Sequence, residues 1–138
     1  MTKPRKKYRP KLAAIPLGMR DNASFELPAL LALEALDQSN FCEQHVYDMI
    51  SAADLTKRTA PAGHAALVAA QTVVEACADI QDRARRTGKT GVTGDEMRVL
   101  RAGVPQLITF LRSASNLALA RAVLAAHADF VRFGGLRV

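Results

Sequence analysis

The chain has 138 residues, 49% of them hydrophobic, with two Cys, no Trp and a formal net charge of +6. That length suits one domain, large enough to bury about two-thirds of its unfolded surface. No apolar run of ~18 residues lacks a charge, so no membrane-spanning helix is expected. The charged N-terminus lacks the apolar stretch of a secretory signal. Two cysteines are too few for a disulfide framework, and a cytoplasmic protein with reduced thiols is the expectation. Abundant Ala and Leu with short β-branched runs favour an all-α class.

The charge is unevenly placed. Residues 1–11 hold Lys3, Arg5, Lys6, Lys7, Arg9 and Lys11 and no acid, leaving thirteen basic and thirteen acidic residues elsewhere. The basicity belongs to a tail, which argues against a broadly basic nucleic-acid-binding fold surface. Residues 1–26 carry Pro4, Pro10 and Pro16 and show no helical period. They read as an extended basic arm. Ile15, Leu17 and Met19 alternate with small or turn residues, so part of the arm is expected against the core. Residues 27–138 read as a single helical domain.

Pro28 suits the first turn of a short helix ending near Gln38, with Leu30, Leu31, Leu33 and Leu36 as its apolar content. Asn40 then caps a second helix, Phe41 to Lys57, striped by Cys42, Val46, Met49, Ile50 and Ala53. Thr59 to Gly63 breaks the pattern. A third helix runs to about Thr87, with Leu67, Ala70, Val73, Val74, Cys77, Ile80 and Ala84 on one face. Opposite lie Glu75, Asp79, Asp82, Arg83 and Arg86, with ion pairs expected from Asp79 to Arg83 and Asp82 to Arg86. Gly88 stops this helix, and the short loop to Val92 predicts antiparallel packing against the next helix.

The longest stretch, Thr93 to Gly134, reads as one helix. Thr93 and Glu96 form a capping box, and Gly134-Gly135 with Arg132 nearby is the stop signal. Pro105 predicts a kink, and a break at Gly103 is the alternative, with Val104 a poor cap. In the first half Met97, Leu100, Val104, Leu107, Ile108 and Leu111 share one face, opposite Arg98, Arg101, Arg112 and Asn116. In the second half the large residues Leu119, Val123, Leu124, Phe130 and Val131 move to the former polar side, and Ala114, Ala118, Ala122, Ala125 and Ala126 take the former core side. Burial on all sides is therefore expected there, the large residues being covered by a second copy of the chain or, as the alternative, by the short helix around Leu30 to Leu36, which is too small to cover both sides. The resulting architecture is an all-α, irregular helical bundle of three main helices and one short one.

Lys6-Lys7-Tyr8-Arg9-Pro10-Lys11 resembles the opening of small proteins found in proteobacterial genomes and their prophages. The later order is also similar, an Ala/Leu helix ending in Arg-Arg-Thr-Gly and a long helix starting Thr-Gly-Asp-Glu-Met. The resemblance implies a helical, phage-associated protein and supplies no active site.

Candidate chemistries are weak. Gly88-Lys89-Thr90-Gly91 looks like the end of a phosphate loop, but a P-loop needs Gly where Arg83 stands, and no strand precedes it. Cys42 and His45 share a helical turn, with His64 or Cys77 able to extend a metal set, yet both thiols continue apolar stripes. Ser113 and Ser115 sit in no nucleophile motif, and Asp129 points away from His127 on a helix. No catalytic residue, metal or cofactor is expected. The arm is the candidate nucleic-acid contact, through Lys3, Arg5, Lys6, Lys7, Arg9 and Lys11 on phosphates and Tyr8 stacked on a base. The expected function is a non-enzymatic interaction protein, homodimeric and with a further protein partner; the alternative is an accessory or regulator using that arm on nucleic acid.

Overall fold

A computed structural model describes residues 23–38 and 40–134. These form five helices and no strand, so the chain is all-α: α1 (Ala23–Asp37), α2 (Glu43–Thr59), α3 (Ala65–Thr87), α4 (Gly94–Ser113) and α5 (Asn116–Phe133). The arm residues Lys3 to Lys11, the apolar Ile15, Leu17 and Met19, and Gly135 lie outside the described residues. The last residues assigned to the arm, 23 to 26, are the first turn of α1.

Helix α1 begins five residues before the expected start, so Pro28 lies inside it and costs one ladder bond. Glu26 favours the earlier start. It sits in the first turn, where the helix dipole suits an acid, and its carboxylate accepts two hydrogen bonds from Arg112 of α4, at 2.5 and 3.0 Å. Of the expected apolar content, Leu36 is buried and Leu33 half-buried, while Leu30 and Leu31 are exposed, as is Leu27; Ala29, Ala32 and Ala35 turn inward with Leu36. Small residues let α1 lie close to α2 and α4, its two neighbours.

Cys42, not Asn40, is the N-cap of α2, and its backbone N–H donates to His45 Nδ1 at 2.9 Å. Of the predicted stripe, Val46, Met49 and Ala53 are buried, Ile50 is half-buried, and Cys42 is exposed. In α3 the predicted face holds, with Ala70, Val73, Cys77 and Ile80 fully buried. His64 caps its start by accepting from the Ala66 N–H at 3.0 Å, and Gly88 ends it in the left-handed conformation. Arg83 does not pair with Asp79. It reaches Glu96 across the loop at 2.5 Å, and Asp82 is paired with Arg85 instead of Arg86.

The capping box is present: Thr93 Oγ1 accepts from the Glu96 N–H at 3.2 Å, and Glu96 accepts from the Thr93 N–H at 2.9 Å. Leu100, Val104, Leu107, Ile108 and Leu111 all enter the core. Helix α4 continues through both Gly103 and Pro105. Gly103 is required by packing. A Cβ there would stand 2.7 Å from Val73 Cγ2, so its absence lets α3 and α4 approach. Glu96 meets Arg83 near the loop and Gly103 meets Val73 further along, the order of an antiparallel pair.

The single long helix is not observed. Ala114 and Ser115 are both extended, at φ −73°, ψ 149° and φ −72°, ψ 151°. Ser115 Oγ then accepts from the Ala118 N–H at 3.1 Å and caps a new helix. Across this break α5 departs from α4 at 119°. Two helices at that angle bury different faces, which is why the large residues change sides near Asn116.

Candidate interaction surface

Helix α5 packs on α2. Leu119 and Ala122 supply its buried face, Ala120 and Val123 pack partly buried against the core, and an ion pair adds to this attachment. Arg58, near the end of α2, donates to both carboxylate oxygens of Asp54 at 3.0 Å and to Asp129 of α5 at 2.6 Å. Burial alone would lower the Arg58 pKa, but hydrogen bonds to Asp129 and Asp54, with their charges, raise it. The guanidinium stays charged and holds α5 against α2.

The five residues expected to mediate self-association do not share a surface. Leu119 is 0% exposed in the core of its own chain, and Val123 is half-buried against that core. Phe130 faces a cleft of about 310 Å³ shared with Tyr47, Glu43, Gln44 and Gln81. Leu124, at 49% exposure, and Val131, at 70%, point to the opposite side of the helix from Leu119, while Phe130, at 44%, is exposed beside Tyr47. The sequence reading missed Leu117, which is 60% exposed. Leu117, Leu124 and Val131 are seven residues apart, so on a 3.6-residue helix they form one stripe, opposite Leu119 and Ala122. The signal for Leu117 was that heptad, hidden by treating the second half as apolar all round.

Around the stripe lie Ala125, Ala128, Arg121 and Arg132, with Arg132 5.4 Å over the Phe133 ring. The only acid in α5, Asp129, faces α2. The outward face is therefore apolar with a basic edge.

The other candidate groups have structural duties. His45 stacks on Phe41 with ring centroids 5.5 Å apart and accepts from the Cys42 N–H. Ser113 Oγ donates to the Phe110 carbonyl and Ser115 caps α5. Among the described residues no three His, Cys, Asp or Glu side chains gather as a metal set would require. Two larger clefts exist. One, about 470 Å³, is walled by Asp79, Asp82, Arg83, Arg85, Arg86 and Glu96. Its charges are largely satisfied by one another: burial would raise the Glu96 pKa, but the Arg83 hydrogen bond and the Thr93 contacts hold it below the ordinary value. The second, about 460 Å³, lies where His64 and Phe110 meet edge to face, beside Pro105 and Thr109. Its walls are mostly apolar; His64 and Ser113 both line it, His64 accepting from the Ala66 N–H and Ser113 Oγ donating to the Phe110 carbonyl.

No family model matches the chain, and no curated protein or solved structure is significantly similar to it.

Proposed function

We propose that this chain is a small non-enzymatic interaction protein of the phage or prophage type, a helical bundle with an extended basic arm, acting by self-association and partner binding through α5. The observation that carries this reading is the exposed stripe Leu117, Leu124 and Val131 on a helix whose other face is already seated. Three large apolar side chains in register on one face represent a contiguous patch, which monomeric surfaces seldom keep without a use. Sedimentation of the wild type at on the order of 100 µM should show a species heavier than the 14.9 kDa monomer. Leu124→Asp with Val131→Asp should return it to the monomer mass with helicity unchanged, because both sites are solvent-facing. A folded wild type that stays monomeric at that concentration would sink the reading.

A second reading rests on the charge distribution: six cations in residues 1–11 and a neutral remainder. The arm would then hold nucleic-acid phosphates, as an accessory function independent of α5. Removing residues 1–11 should abolish retention on DNA or RNA, and binding by the intact chain should fall steeply with salt as counterion release requires. Equal binding with and without the arm ends this second reading.

A further inference from the structure

We infer that the outward face of α5 docks on an anionic lipid surface, aided by the cations of residues 1–11. This rests on partner binding through α5, not on self-association, and it names the chemistry of the partner. Stepping round the helix from Leu124 puts Leu117, Val131 and Ala128 within about 40° of it, with Arg121 and Arg132 about 60–80° to one side. His127 and Asn116 flank the other side. The one acid of α5, Asp129, is turned to α2, where Arg58 holds it at 2.6 Å. The outward face is thus a band of apolar side chains with a cationic edge and no acid.

Charge selects the partner. Two arginines and no acid on this face favour an anionic surface, and residues 1–11 add six cations, again with no acid. Both features issue from one corner of the molecule. Glu26, in the first turn of α1, is bonded to Arg112 near the end of α4, and α5 begins just beyond, at Asn116. Residues 1–22 therefore join the described chain close to the start of the stripe. Nucleic acid would take up the cations but leave Leu117, Leu124 and Val131 in water, whereas a bilayer interface receives both. Three large apolar side chains are a shallow anchor and a polybasic segment is released by salt, so stable binding to a membrane surface takes the two together. No single described helix is long and apolar enough to cross a bilayer. Seated on α2 along Leu119 and Ala122, α5 meets lipid from the side, as a helix lying in the interface does.

Vesicle flotation of the full chain tests this. Equimolar phosphatidylglycerol and phosphatidylcholine vesicles should retain the protein at least about tenfold better than phosphatidylcholine alone, and added salt should shrink the difference. Leu124→Asp with Val131→Asp should cut retention at least about tenfold with helicity unchanged. Arg121→Gln with Arg132→Gln should also cut it about tenfold. The contact itself is read with an environment-sensitive dye. In a Cys42→Ser background the remaining Cys77 is fully buried, so Leu124→Cys takes the label. Its emission should shift to the blue on anionic vesicles, whereas a label at Val68→Cys, exposed on α3, should not shift. Equal shifts at both positions, or retention untouched by the two aspartates, would place the contact elsewhere in the chain and overturn the assignment. Equal retention on both vesicle types would overturn the anionic preference. No retention on either leaves the face to an acidic protein or a second copy and ends the lipid inference. Sedimentation without vesicles separates this from self-association: a dimer that ignores vesicles ends only the lipid inference, whereas a monomer held by anionic vesicles through position 124 ends self-association and supports it.

Discussion

Helices α4 and α5 are consecutive, similar in length and alike in Leu, Val and Arg content, yet they do opposite jobs. Helix α4 places five large side chains in the core and lies against α1, α2 and α3. Helix α5 buries one large side chain, Leu119, and is held on α2 by Arg58 and Asp129. The higher mean hydropathy belongs to α5. Apolar content therefore does not report burial in this chain. What separates the two is the arrangement of that content: α4 concentrates it on one face, whereas α5 spreads it over two, and among the described residues only one of those faces meets another helix.

The largest expected contrast comes from truncating one leucine on each helix. Leu107→Ala in α4 removes a fully buried side chain and should lower unfolding stability by about 2–5 kcal/mol in urea denaturation. Leu124→Ala in α5 should cost under about 0.5 kcal/mol at concentrations where the chain is monomeric, and it should weaken self-association instead. A large stability loss from Leu124→Ala in the dilute protein would mean that α5 is as deeply seated as α4 and that its outward face is covered.

Much of this contrast was legible, and what was not has physical reasons. The capping box at Thr93 and the stop at Gly88 are local, depending on residues three or four apart, and both are where the residues indicate. The α4 face was legible because its apolar period is strict. The break at Ala114 and Ser115 carried a signal too. Ser115 followed by Asn116 is a good helix start, and the change of face there was the corner itself, mistaken for a property of one continuous helix. The Arg58–Asp129 and Arg112–Glu26 pairs join residues far apart in sequence, and no spacing rule reaches them. Alanine misled in α1, where the small side chains face inward and Leu30 and Leu31 face out. Proximity of helices, not residue size, chose that face. For the candidate surface, Leu124 and Val131 were legible as large residues off the core side, while Leu119 could be assigned to the core only once the angle of α5 was known.

The smallest contrast sets glycine against alanine on the two helices. Gly103→Ala in α4 has two opposed consequences. Helix propensity favours Ala by about 0.8–1 kcal/mol. Against this, the new Cβ would stand 2.7 Å from Val73 Cγ2, closer than two carbons tolerate, with the Ala69 carbonyl oxygen of the same helix 3.5 Å away. Val73 is fully buried and β-branched, so it has little freedom to turn aside. Overpacking of this kind costs about 1–3 kcal/mol and should win, leaving a net loss of up to about 2 kcal/mol. Ala125→Gly in α5 meets no such neighbour. It should cost about 0.8–1 kcal/mol through propensity alone, or less if α5 frays at little expense to the rest. The two mechanisms separate in a double mutant. Val73→Ala clears the space beside position 103, so Gly103→Ala should become stabilising in that background, whereas the cost of Ala125→Gly should be unchanged by it. If Gly103→Ala stabilises the otherwise native chain, α3 and α4 do not approach as closely as the Val73 contact requires.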